Sequence, residues 1–77
     1  MPSMAAPGEL AALEAATGAA AERLYLELMI RHHQGGVTMA RAVLDRSGNV
    51  AVTSLARSVV TAQQSEIDYM FGLLTAR

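Results

Sequence analysis

Apolar and polar positions repeat with a helical period along most of the chain. Taken at 100° per residue, Arg23, Glu27, Arg31, Gln34, Thr38, Arg41 and Asp45 fall in one polar stripe. Tyr25, Leu26, Met29, His33, Gly36, Ala40, Val43 and Leu44 take the opposite face, with His32 at its edge and Met39 just beyond it. Glu22 also lands on the apolar face, one turn before Leu26. Further on, Thr53, Ala56, Val60, Gln63, Gln64, Ile67, Met70, Phe71 and Leu74 share one side, and Ser54, Ser58, Thr61, Ser65, Asp68 and Gly72 point away. Nowhere do apolar and polar residues alternate with period two across five or more positions, so no strand is expected.

Punctuation residues divide this pattern into three helices. Pro7, with its fixed φ, suits a first turn, and Gly18 suits a stop, which predicts a short helix from about Pro7 to Thr17. A long second helix is expected from Ala19 or Ala20 to Arg46, roughly 40 Å at 1.5 Å per residue. "SGN", Ser47 to Asn49, then interrupts, with Gly48 expected in a left-handed C-cap and Asn49 as the next N-cap. A third helix fills Val50 to about Ala76. The fold class is therefore all-α, a long antiparallel hairpin plus a short N-terminal helix.

A three-residue connection forces the two long helices side by side. Counting outward from the loop sets His33 level with Gln63, His32 with Gln64 and Met29 with Ile67, and brings Glu66 and Met70 within a turn of Met29. The polar intruders of both apolar stripes thus meet in one layer, together with thioether sulfur.

Composition narrows what such a layer does. The chain has 77 residues, and domains of roughly that size need a staple beyond their own core. Cysteine is absent, which leaves a metal, oligomerisation or very good helix packing. A lone hairpin leaves Leu55, Val59 and Leu73 partly exposed, so two copies are expected to pair as a homodimer into a four-helix bundle. A net charge of −1, with six arginines spread along the chain and no lysine, argues against a nucleic-acid surface. No uncharged apolar run approaches the roughly 18 residues of a membrane span, so no membrane contact is expected of this segment. "PSMAAPGEL" after Met1 has the character of the middle of a chain, which suggests a C-terminal piece of something longer.

Two readings of the layer stand side by side. In one, the histidines and glutamines satisfy each other and set register, since a buried polar group left alone costs about 1–3 kcal/mol. In the other, Met29, His32, His33, Met39 and Met70 are ligands for a metal, with Gln63, Gln64, Glu66 and Glu22 as the supporting polar groups. Imidazole suits copper and zinc, and thioether favours Cu(I), so copper is the ion these residue types indicate. Adjacent histidines diverge by 100° on a helix, which makes His33 the inward group and the i,i+4 partner of Met29. Met39 lies seven residues beyond His32, about 10 Å along the axis, which assigns it to a second site or to packing. Met1 and Met4 are expected in a disordered N-terminal segment, whose Met-x-x-Met is the alternative means of closing over a metal. No Ser-His-Asp set, cysteine or Gly-rich phosphate loop is present, so no enzyme is expected. Glu-x-x-His, which carboxylate-bridged di-iron bundles use, is missing too.

"ERLYLELMIRHHQGGVTMA", followed some twenty residues on by "AQQSEIDYM", resembles the family called domain of unknown function 305. The resemblance extends from "GELAALEAATG" to Leu74. It implies a ferritin-like helical bundle, mostly bacterial and exported, with some members tied to copper binding or tolerance outside the cytoplasm. The matching motif positions are Met29, His32, His33, Met39, Gln63, Glu66 and Met70. Glu22 stands where that family often has an aspartate, and Gln34 where a glutamate is common. Full-length members often carry a preceding segment rich in methionine and histidine.

Overall fold

A computed structural model describes residues 5–76, which fold into α1 (Pro7–Ala15), α2 (Gly18–Arg46) and α3 (Val50–Thr75). Met1 and Met4 lie outside the described residues. The molecule measures 46 × 27 × 14 Å, which is the shape of a flat hairpin with α1 laid on α2.

The loop between α2 and α3 closes through side chains. Ser47 is extended and sends its N–H back to Val43 O at 2.9 Å. Its Oγ accepts from Asn49 N at 3.1 Å, and Asn49 Oδ1 accepts from Val52 N at 3.1 Å, the expected N-cap. Gly48 does not take the left-handed conformation expected of it, because Ser47 and Asn49 already satisfy the turn. Gly18 is the glycine at positive φ, +57°, among the described residues. It opens α2 instead of ending α1. That end is closed by Ala16, whose N–H reaches Ala12 O and Leu13 O without a left-handed residue.

Packing follows a seam narrower than the apolar stripe. Leu26, Ile30, Val37, Ile67 and Met70 form the buried cluster, with Met29, Val60 and Leu74 packed against it. On α2 the buried and half-buried positions 26, 30, 33, 37, 40 and 44 alternate spacings of four and three, the repeat of two helices meeting along a line. Ile30 and Val37, not among the residues expected on the apolar face, fall about 40° and about 20° from Leu26 at 100° per residue and belong to the core. Tyr25, expected on that face, is 53% exposed. The whole polar stripe of α2, from Arg23 to Asp45, faces solvent as expected.

α1 buries no residue of its own. Glu9 fastens it: Oε1 accepts from Ala6 N at 3.0 Å, capping the helix, and Oε2 accepts from Arg31 Nη2 of α2. The Arg31 guanidinium, seconded by the Ala6 amide, holds the Glu9 carboxyl below its ordinary value of 4.5.

Candidate metal centre

The layer forms, with a shift of register. His33 meets Glu66, and Gln63 lies over Gly36, so each contact falls three residues from the level counted from the loop. The cause is the tilt of every Cα–Cβ bond toward its own helix N-terminus. In an antiparallel pair, α2 side chains lean away from the loop and α3 side chains lean toward it. Residues that touch are therefore offset along the pair.

His33 is the centre of the arrangement. Its side chain is 12% exposed, and Nδ1 lies 2.9 Å from the carbonyl oxygen of Met29, one turn earlier on α2. A carbonyl only accepts, so Nδ1 carries the hydrogen, and Nε2 of the neutral ring is left with its lone pair. Nε2 faces Glu66 Oε1 at 3.3 Å. Two lone pairs oppose each other there unless a cation lies between them, and that cation is either a proton or a metal ion. A histidine whose second nitrogen is tied to a backbone carbonyl is oriented as metal-ligating histidines usually are. Glu66, 65% exposed, reaches the ring from the solvent side.

Met29 and Met70 stand one turn from His33 and Glu66 on their own helices and belong to the core side. Met70 is buried in the core cluster, one turn beyond Glu66, and Met29 packs against that cluster. His32 is exposed, with its ring centroid 6.1 Å from that of His33 in an edge-on arrangement. It lines a hollow under α1 together with Leu10, Tyr25 and Met29. Met39, 55% exposed, lines a separate groove with Gly36 and Gln63.

Two of the expected supporting groups lie elsewhere. Gln64, one residue and 100° past Gln63, is rotated out of the seam and donates to Asp68 Oδ1 of its own helix at 3.1 Å. Glu22 is exposed and lines a hollow with Leu13, Tyr25 and Leu73, away from His33. Gln63 stays in the layer, and its Oε1 is buried without a hydrogen-bond partner. A Cβ built on Gly36 would come 2.6 Å from Gln63 Nε2, so the glycine makes room for the amide. Among the described residues, no three histidine, aspartate or glutamate side chains gather where they could share one metal ion.

Residues 1–74 match the family model described as Domain of unknown function (DUF305). The chain belongs to this family. Of the positions that carried the DUF305 resemblance, Met29, His33, Gln63, Glu66 and Met70 lie along one stretch of the hairpin, and His32 and Met39 are exposed outside it. The chain is also similar to a protein of Acanthamoeba polyphaga mimivirus printed as "Uncharacterized protein L153", with 32% identity over 56 residues. That match covers 73% of this chain and 37% of the viral protein. No solved structure matches the chain. Among the described residues, no helix is long and apolar enough to cross a membrane.

Proposed function

We propose that this DUF305 domain is a non-catalytic metal-binding module, with copper as its ion and an extracytoplasmic setting. The observation that carries the reading is the seating of His33, with Nδ1 2.9 Å from Met29 O and Nε2 3.3 Å from Glu66 Oε1. Imidazole and carboxylate accept Cu(II), and thioethers such as those of Met29 and Met70, one turn away on the same two helices, favour Cu(I), so these residue types suit an ion that uses both states. Copper supplies Lewis acidity when bound; the chain's own part is to orient one imidazole, supply one anion and keep the inner side apolar. The extracytoplasmic setting rests on the family resemblance.

The test is a competition titration with Cu(I) and with Cu(II) on the wild-type chain, on His33→Ala combined with Met29→Ala, and on Glu66→Gln. Loss of a ligand is expected to weaken binding by at least the roughly 10–100-fold that outer partners of metal sites contribute. Equal affinity in all three proteins removes the reading.

A second reading is favoured by the lack of a third ionisable ligand near His33 among the described residues. In it a proton bridges Nε2 and Oε1, and the pair only sets the register of the hairpin. His33→Leu then leaves stability unchanged or raises it, and no metal stoichiometry is lost.

A further inference from the structure

The two flanks of the hairpin seam differ in chemistry. On one flank, α2 carries Tyr25, His32 and Met39 seven residues apart, and α3 carries Val52, Val59, Glu66 and Leu73 at the same spacing. A spacing of seven keeps residues in a row along packed helices. Near the loop, this flank opens into a groove of about 270 Å³ whose lining includes no charged side chain, with Leu55 66% exposed on its wall. Near the other end, Tyr25 and Leu73 line a second hollow together with Leu13 of α1 and Glu22. The opposite flank carries Gln34, Thr38 and Arg41 on α2 and Arg57, Thr61 and Asp68 on α3, and is mostly polar, with Phe71 44% exposed on it.

We propose that a second copy of this chain covers the apolar flank, centred on the His33–Glu66 layer. The inference rests on the metal-binding reading only for the metal. Four observations favour a second copy as the occupant. His32 is the midpoint of α2, and Glu66 lies within a turn of the midpoint of α3. A two-fold axis in the plane of the face, along the helices or across them, therefore lays apolar ends on apolar ends and layer on layer. The broad face measures 46 × 27 Å, which leaves room for the roughly 800 Å² per partner of a standard interface. Each chain buries few side chains of its own and has no disulfide. Each chain also brings one oriented imidazole and one carboxylate to the layer, so the pair supplies four such donors where one chain supplies two.

Sedimentation equilibrium of the full chain, treated with chelator and then given Cu2+ alone, tests the proposal. The wild type is expected at twice the chain mass of 8.1 kDa, taking one Cu2+ per two chains. Leu55→Glu, at an exposed site away from the layer, is expected to stay helical by circular dichroism, become monomeric and bind Cu2+ about 10–100-fold more weakly. A wild type that remains monomeric at about 100 µM overturns the proposal. So does a dimer that survives Leu55→Glu but dissociates with Phe71→Glu, a change on the other flank. Monomeric Leu55→Glu with undiminished Cu2+ affinity overturns the shared layer. If the wild type and His33→Ala are both dimers broken by Leu55→Glu and neither binds Cu2+, the metal-binding reading fails and this one stands.

Discussion

Gly36 and Gln63 show how a single residue's environment sets its cost. The Gln63 amide lies against the α2 backbone with Oε1 buried and unpaired, a loss of about 1–3 kcal/mol for a group closed off from water. Gly36 adds to it, since glycine inside a helix is about 1 kcal/mol worse than alanine. The atom that an added Cβ would meet is the far end of a flexible side chain, so Gly36→Ala is expected to swing the amide into the open groove. Stability should rise by up to about 1 kcal/mol in urea denaturation. Gln63→Leu, which removes the unpaired oxygen, is expected to raise it by a similar amount, about 1 kcal/mol. A fall in both variants would mean that the amide holds a partner in solution. His33 was legible as the inward histidine from helical period alone. Its partner was not, because the lean of side chains, which decides between Gln63 and Glu66, is a property of two helices packed together.

Helix ends and helix docking belong to the element scale. Gly18 sits at φ +57°, where a Cβ is crowded by the backbone, so Gly18→Ala is expected to cost about 1–2 kcal/mol. Gly48 has ordinary φ and nothing within 4 Å of an added Cβ. Gly48→Ala is expected to stabilise by about 0.4–1 kcal/mol, by narrowing the unfolded ensemble. Thermal melts of the two variants should move in opposite directions; parallel shifts would put the left-handed residue in the wrong loop. Asn49→Ala removes the cap on Val52 N and should cost about 1 kcal/mol. α1 depends on Glu9 being ionised. Because its carboxyl is held below 4.5, the docking it provides is complete above that value and is lost as pH falls through the lowered one. Amide shifts of α1 should therefore change in acid before those of α2 and α3, and Arg31→Ala should abolish the difference. The three helices were legible because Pro7, Gly18 and "SGN" mark their ends. Which glycine turns left-handed was not, since Ser47 and Asn49 compete for the same job.

For the whole molecule, pairing through the apolar flank as proposed would make stability depend on concentration. The melting temperature is expected to rise with protein concentration, as it does for any chain whose folded form associates. Copper is expected to raise it further in the wild type and to leave Leu55→Glu and His33→Ala nearly unmoved. A melting point constant from dilute to concentrated solution would mean that the hairpin is stable alone. The apolar flank was partly visible beforehand in Leu55, Val59 and Leu73. Its continuity was not, because Tyr25 and Met39 join it only once the seam is known to run through Ile30 and Val37.

The order of apolar, polar and helix-breaking residues determined by itself that this chain is three helices with two of them paired, that it belongs among DUF305 domains, and that His33 turns inward toward the facing helix. Those conclusions need only local periodicity, loop length and motif, all of which are written along one dimension. Tertiary structure decided which side chains meet: Glu66 at Nε2 of His33, Gln63 over Gly36, Gln64 and Glu22 in solvent, His32 and Met39 on an outer face. These are matters of a fraction of a turn, set by how two helices lean and seat against each other, and no single helix carries that information.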